Sequence, residues 1–178
     1  NIGLEVLLLD IVPNSLHEIE EKKGLTLDHK IVRNRMANEH LSHALKSNPS
    51  PIYSQQFASR ITTGNTTDDI AKIATYDWII EVVVERLDIK KQVFEQIDTF
   101  RKPGTLVTSN TSGIPIQFMS EGRSADFQAH FCGTHFFNPA RYLKLFEIIP
   151  GPKTTSEVVN FLFDYGSKYL GKTSVIAK

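Results

Sequence analysis

Trp78-Ile-Ile-Glu-Val-Val-Val84 is a short apolar run, and a segment of helical period over residues 87–100 separates it from a second run, Thr105-Leu-Val-Thr108. Short apolar runs bounded by polar residues are typical of buried strands. Strands that alternate with helices pair in parallel, and the helices cover the faces of the sheet. This stretch therefore predicts an α/β fold built on a parallel sheet.

The same alternation continues on both sides of this stretch. Upstream, Gly3-Leu-Glu-Val-Leu-Leu-Leu-Asp10 predicts a strand and residues 69–74 predict a short helix. Downstream, residues 114–120 predict a helix and residues 131–137 predict a strand. Because the two periods alternate along most of the chain, we predict a doubly wound, mainly parallel sheet.

A long polar segment follows Asp10. Within it, residues 28–47 carry apolar side chains at helical spacing, and Gly24 and Asn48-Pro-Ser-Pro51 bound this portion. We therefore predict a helical hairpin inserted at about residues 14–52. A hairpin packed on the surface of the domain is the favoured interpretation, and the alternative is an arm that touches a large ligand.

The pattern changes after Pro139. Tyr142-Leu-Lys-Leu-Phe-Glu-Ile-Ile149 predicts another strand, which only a short turn connects to the preceding one. Because so short a connection cannot cross over the sheet, we predict that these two strands are antiparallel. Residues 155–169 then predict a helix with Thr155 as its N-cap, and residues 173–177 predict a last strand.

Composition limits the classes of function. The chain has 178 residues, of which 40% are hydrophobic, so it suits one domain with a buried core. Its 20 basic and 20 acidic side chains balance, which argues against nucleic acid or an anionic membrane as partner. The single cysteine, Cys132, excludes an internal disulfide and fits a reducing compartment. With neither a signal peptide nor an apolar run long enough to span a bilayer, we predict a cytoplasmic protein.

A histidine and a glutamate fall opposite each other if the two antiparallel strands pair about Arg141. These residues are His135 and Glu147, and their even separation keeps them on one face of the sheet. A carboxylate beside an imidazole fixes its tautomer and stabilises the imidazolium that forms when it takes a proton. The alternative is a histidine bonded to the backbone and a solvated glutamate. In this context we favour the dyad, with the histidine as a general base.

Polar residues also follow the strand that ends at Thr108, on the edge where ligands of open parallel sheets bind. Ser109 and Ser112 are either caps for the following helix or ligand contacts, and Ser112 is the better functional candidate because it lies farther from the strand. Asn138 either shapes the turn before Pro139 or polarises a carbonyl. The histidines lack the spacing of metal ligands, so we predict no metal.

Three charged residues suit a dinucleotide. Asp10 ends a strand, where an acid accepts hydrogen bonds from ribose hydroxyls and repels a 2′-phosphate, so NAD is favoured over NADP. Without that context, an aspartate at the end of a strand is usually a turn residue. Glu85 and Lys90 flank the turn after Val84, where they either contact the cofactor or are solvated residues of a helix start.

Together these segments resemble the NAD-binding domain of L-3-hydroxyacyl-CoA dehydrogenases, which has a Rossmann-like fold. The matching segments are the strand ending in Asp10, Glu81-Val-Val-Val-Glu85 with Lys90, Ser109-Asn-Thr-Ser112, His135-Phe-Phe-Asn-Pro139 and Lys144-Leu-Phe-Glu147. The likeness extends over essentially the whole chain. The Ser112-Gly113 step and the proline-containing insert are most similar to bacterial multifunctional members, in which an enoyl-CoA hydratase is fused or associated.

The resemblance implies oxidation of an L-3-hydroxyacyl-CoA to the 3-ketoacyl-CoA with NAD, a step of fatty-acid β-oxidation. It implies that His135 is the general base on the 3-hydroxyl, that Glu147 orients it, and that Ser112 contacts the substrate oxygen near the nicotinamide. It also implies a homo-oligomer in the full-length protein. The cofactor contacts that it implies are Asp10, Glu85, Lys90, Ser112 and Asn138.

The family's first strand, its glycine-rich pyrophosphate loop and its C-terminal helical domain have no counterpart in residues 1–178. We expect these residues to form a single, N-terminally truncated NAD-binding domain that is inactive in isolation. Two alternatives stay open at this point. One is a dehydrogenase of a free hydroxy acid, and the other is a non-catalytic fragment that binds acyl-CoA or a protein partner.

Overall fold

The computed structural model describes residues 2–177 and divides the chain into two compact units, Asn1–Ala71 and Lys72–Lys178. In the first unit, β1 (Val6–Asp10) and β2 (Ile61–Asn65) form a two-stranded parallel sheet. The helices between the two strands are α1 (Glu18–Lys22), α2 (Lys30–Arg33) and α3 (Arg35–Lys46), followed by a 3₁₀ helix at Gln55–Arg60. The three α-helices all lie within the insert at residues 14–52, and the extent of a single domain over residues 1–178 stays a prediction.

Polar contacts connect the insert to β2 and to the turn that follows it. Arg33 binds both oxygens of Asp68, at 2.6 and 2.7 Å. On α3, the Asn38 side-chain oxygen accepts a hydrogen bond from the hydroxyl of Thr63 in β2. These contacts support the interpretation of a hairpin packed on the surface.

β2 has no counterpart among the predicted strands. Its sequence, Ile-Thr-Thr-Gly-Asn, contains one large apolar residue and therefore carries no apolar run. The strand forms because β1 offers a parallel partner, with Asp10 opposite Asn65 at the carboxyl end. Gly64 allows a close approach here, because an added Cβ would lie 2.5 Å from Asp69 Oδ2 and would force that side chain to move.

The second unit contains a five-stranded mixed sheet. Its strands lie in chain order: β3 (Trp78–Glu81), β4 (Leu106–Ser109), β5 (Phe131–Phe136), β6 (Leu145–Pro150) and β7 (Thr173–Ile176). The first three are parallel, β6 is antiparallel to β5, and β7 is parallel to β6. The prediction of a mainly parallel sheet with antiparallel C-terminal strands is confirmed.

Helices cover both faces of this sheet, as the side chains of β5 show, because successive residues of this strand point to opposite faces. Phe131 packs against Phe94 and Phe127 on one face, at ring-centroid distances of 5.0 and 5.1 Å. The next residue, Cys132, points to the opposite face and packs in a cluster with Leu162. The covering helices are α4 (Leu87–Phe100), α5 (Ile116–Ser120), α6 (Ala125–Ala129) and α7 (Ser156–Lys168).

The structure differs from the sequence-based expectations at several boundaries. β3 ends at Glu81 rather than at Val84, because the Glu81 carboxylate accepts a hydrogen bond from the Val83 backbone N–H and turns the chain. α6 was not predicted, since its five residues are too few to show a helical period. No helix within the described part of the chain is both long and apolar enough to cross a membrane.

Candidate active site

The β5–β6 hairpin brings an imidazole and a carboxylate together. His135 is paired with Glu147 in the antiparallel register, as the predicted pairing about Arg141 requires. The side chains meet on one face, with His135 Nδ1 2.8 Å from Glu147 Oε2. The ring of Phe137 packs edge-on against His135 at a centroid distance of 4.4 Å. The hairpin therefore fixes both the position and the orientation of the imidazole.

The other ring nitrogen of this histidine meets a hydroxyl. Ser112 Oγ lies 3.1 Å from His135 Nε2, and Ser112 is exposed to solvent. Because a carboxylate can only accept, the hydrogen of the ring belongs on Nδ1, toward Glu147. Nε2 then carries a lone pair and accepts from the serine hydroxyl. This arrangement leaves a proton acceptor at an exposed edge of the sheet.

The carboxylate of Glu85 holds residues 110–113, which form the loop that carries Ser112 (the Ser112 loop). Glu85 Oε1 accepts hydrogen bonds from the Thr111 hydroxyl at 2.5 Å, from Ser112 N at 3.1 Å and from Gly113 N at 3.0 Å. Desolvation by burial opposes ionisation of Glu85, but the hydrogen bonds from Thr111 and Gly113, together with Lys90, outweigh it and lower its pKa to about 2. Glu85 is thus an anion at neutral pH that anchors the loop.

Behind Glu85 lies a buried ion pair. Lys90 Nζ is 2.8 and 3.0 Å from the two oxygens of Glu81 and 3.3 Å from Glu85 Oε2. The side chains of Lys90 and Glu81 are 1% and 0% exposed, whereas that of Glu85 is 44% exposed. The alternative of a solvated helix start is therefore wrong for Lys90.

The sequence analysis missed three residues that shape this loop. The Asn110 side-chain oxygen accepts from Phe136 N at 2.9 Å and ties the loop to the end of β5. Thr111 Oγ1 accepts from Ile114 N, so this hydroxyl, rather than that of Ser109 or Ser112, makes the cap-like contact before α5. Glu81 is the third, and its only signal in the sequence is a charge within an apolar run.

In the first unit, Asp10 lies at the carboxyl end of β1, as predicted. Its Oδ1 accepts from Ile11 N at 2.7 Å, and its Oδ2 lies 2.7 Å from Nδ1 of His40 on α3. The carboxylate is partly exposed, with 26% of its surface accessible. The position at the end of a parallel strand is the one from which an acid reaches ribose hydroxyls.

Two further expectations concern Asn138 and metals. Asn138 is exposed in the turn between β5 and β6 and precedes a cis peptide bond to Pro139. Within residues 2–177, no group of three or more histidine, cysteine, aspartate or glutamate residues is arranged to hold a metal ion. Of the proposed catalytic residues, His135 is in direct contact with both Ser112 and Glu147.

A family model and named relatives match this chain. The family model for "3-hydroxyacyl-CoA dehydrogenase, NAD binding domain" matches residues 1–178. A protein of Bacillus subtilis named probable 3-hydroxyacyl-CoA dehydrogenase is 55% identical over 178 residues, which are the whole of this chain and 23% of that protein. A Rickettsia felis relative, named as a fatty acid oxidation complex trifunctional enzyme, is 33% identical over 98% of this chain and 22% of its own length.

A solved structure of a 3-hydroxyacyl-CoA dehydrogenase type also matches this chain. The 3-hydroxybutyryl-CoA dehydrogenase of Escherichia coli matches with a TM-score of 0.68 and 28% identity, over 98% of this chain and 33% of that one. This chain thus spans about a quarter to a third of the length of these relatives. Because the family model covers every residue, the chain belongs to the family of the NAD-binding domain of 3-hydroxyacyl-CoA dehydrogenases.

Proposed function

We propose that the protein oxidises L-3-hydroxyacyl-CoA to 3-ketoacyl-CoA with NAD, as a step of fatty-acid β-oxidation. The observation that carries this proposal is the chain of contacts from Ser112 through His135 to Glu147. It provides a base whose free nitrogen faces an exposed hydroxyl. A secondary alcohol requires such a base, because its oxygen must lose a proton while its carbon loses a hydride.

His135 takes the hydroxyl proton at Nε2. The imidazolium that results is stabilised by Glu147, which already lies 2.8 Å from Nδ1. Ser112, whose hydroxyl lies 3.1 Å from Nε2, donates a hydrogen bond to the substrate oxygen when that oxygen lies beside Nε2. In the reverse direction, His135 returns the proton to the oxygen of the ketone.

NAD, when bound, supplies the acceptor for the hydride from C3. The chemistry of the residues present fits this cofactor. Asp10 offers a partly exposed carboxylate to the ribose hydroxyls, and its charge disfavours the 2′-phosphate of NADP. We also assign cofactor contacts to Glu85, Ser112 and Asn138, whereas the burial of Lys90 corrects its predicted contact to an indirect role through Glu85. Since Lys90 is 1% exposed, its part depends on how it holds Glu85.

The test of this proposal compares substrates in the complete protein. With NADH, acetoacetyl-CoA should be reduced readily, and acetoacetate should react slowly, because it lacks the CoA moiety. NADPH should be a poor substitute for NADH. Equal rates with acetoacetate would instead show a dehydrogenase of free hydroxy acids. Binding of acetoacetyl-CoA without any turnover would show a binding module.

The surroundings of the reaction are proposals as well. We place it in the cytoplasm, in a homo-oligomer that carries or associates with an enoyl-CoA hydratase. The name of the Rickettsia felis relative, a trifunctional enzyme, supports the link to a second activity. Hydration of crotonyl-CoA by the purified complete protein would test this link, and light scattering would test the oligomer.

A further inference from the structure

We infer that Glu81 is a positioning residue for the proposed reaction: it neutralises Lys90 and thereby keeps Glu85 where its Oε1 holds the loop at residues 110–113 against His135. This inference rests on the proposed function. Glu81 is fully buried at the end of β3 and cannot itself meet a ligand. Its effect must therefore pass through its neighbours.

Every accepting position of Glu81 is engaged within the protein. Oε1 accepts from Lys90 Nζ at 2.8 Å and from Val83 N at 2.6 Å. Oε2 accepts from Lys90 Nζ at 3.0 Å and from Ser109 Oγ at 2.5 Å. The carboxylate thus joins three places: the turn after β3, the helix α4 and the end of β4. The last of these is where the Ser112 loop begins.

Lys90 stands between two carboxylates and favours one of them. Both Glu81 oxygens lie closer to its Nζ than the nearest oxygen of Glu85, which is 3.3 Å away. A buried ammonium must be paired, since removal of its partner leaves an uncompensated charge. Without the charge of Glu81, Lys90 would draw Glu85 toward itself.

A movement of Glu85 toward Lys90 would weaken the hydrogen bonds that hold the Ser112 loop. Glu85 Oε1 gathers Thr111 Oγ1 and the backbone N–H groups of Ser112 and Gly113. Glu85 already faces Lys90 with Oε2 while Oε1 holds the loop, so a closer approach to Lys90 would pull Oε1 away from these three donors, and Ser112 Oγ would no longer have a fixed distance to His135. Misplacement of a reacting group by about 1 Å costs on the order of 100-fold in rate.

Two variants of the complete protein test the inference: Glu81→Gln, which removes the charge, and Ser109→Ala, which removes one donor to Glu81 together with the acceptor of Thr111 N. We expect Glu81→Gln to lower kcat about 10- to 100-fold with KM for acetoacetyl-CoA within about twofold of the parent. Ser109→Ala should lower kcat several-fold and fold normally, so it decides the matter if Glu81→Gln does not fold.

The decisive readout is the combination of each variant with Ser112→Ala. If Glu81 and Ser109 act through Ser112, their loss of kcat should largely disappear in the Ser112→Ala background. Losses that multiply in full with that of Ser112→Ala would overturn the inference, because they would show an independent structural defect. A wild-type kcat in both single variants would overturn it too.

Asp98→Asn is the matched control. Asp98 likewise joins a buried cation, a serine hydroxyl and a backbone N–H: Arg101, Ser124 Oγ and Ser124 N. It makes these contacts away from residues 109–113, so its loss should lower the unfolding midpoint but leave kcat unchanged. Failure of the proposed function is seen separately: the wild-type protein would then not reduce acetoacetyl-CoA at all.

Discussion

At the scale of single residues, we propose that Glu147 orients the imidazole of His135, the proposed base. Glu147→Gln keeps the shape of the side chain but removes the charge that stabilises an imidazolium at His135, 2.8 Å away. We expect kcat to fall about 10- to 100-fold, with little change in KM. Steady-state kinetics would measure this, with Glu157→Gln, an exposed acid on α7, as the control. A wild-type kcat in Glu147→Gln would rule out the orienting role.

Glu85 should make the stability of the folded protein depend on pH in the acid range. Its pKa in the folded protein is about 2, below the ordinary value of 4.5. A depressed pKa means that the folded state binds its proton less readily, so the stabilisation is complete above about pH 4.5 and is lost as pH falls toward 2. The difference in urea midpoint between the parent and Glu85→Gln should therefore be largest near neutral pH and shrink in acid. A difference that is constant from pH 7 to pH 3 would contradict this.

The residues that sequence reasoning found and missed differ in one physical respect. His135 and Glu147 lie on neighbouring strands joined by a short turn, so local spacing predicts their pairing, and Ser112 is an exposed polar residue in a loop. Glu81 is the buried last residue of β3, and its partner Lys90 lies nine residues away on a helix. Their pairing depends on how α4 packs on the sheet, which no local pattern encodes.

At the scale of elements, the packing of α7 against the sheet depends on Gly166. An added Cβ at Gly166 would lie 2.7 Å from Phe146 Cδ1 and 2.5 Å from Ser174 Oγ, so α7 would have to move away from β6 and β7. Glycine to alanine in a helix normally stabilises by about 0.5–1 kcal/mol. Here we expect Gly166→Ala to destabilise by about 1–3 kcal/mol, because overpacking outweighs the propensity.

Chemical denaturation would measure that change, with Asn160→Ala on an exposed position of the same helix as the control. The control should be neutral or slightly stabilising, since alanine is the better helix former. An increase in stability for Gly166→Ala equal to that of the control would show that the close approach is not real.

The elements themselves were predictable where a period was long enough. The helix over residues 87–100 was placed at its observed bounds, and the antiparallel hairpin followed from a short connection. β2 was missed because its polar sequence forms a strand only beside β1, and α6 was missed because five residues show no period. The local sequence pattern predicts an element whose own apolar residues recur at a clear period. It fails for an element that forms only because a neighbouring element pairs with it or packs on it.

At the scale of the whole molecule, the two units should carry different kinetic roles. Asp10 belongs to the first unit and His135 to the second. We expect Asp10→Ala to raise KM for NADH about 10-fold and to relax the preference over NADPH, because it removes charge-assisted hydrogen bonds to the ribose. The value of kcat should change little. A fall in kcat with an unchanged KM for NADH would contradict the assignment of Asp10.

The central claim is that His135 accepts and returns the proton, and one substitution addresses it directly. In the complete protein, His135→Gln should lower kcat for acetoacetyl-CoA reduction by about 100- to 10,000-fold, the usual contribution of a general base. NADH should bind to this variant with unchanged affinity, as measured by fluorescence titration. Turnover close to that of the wild-type protein, with NADH bound normally, would remove His135 from the reaction.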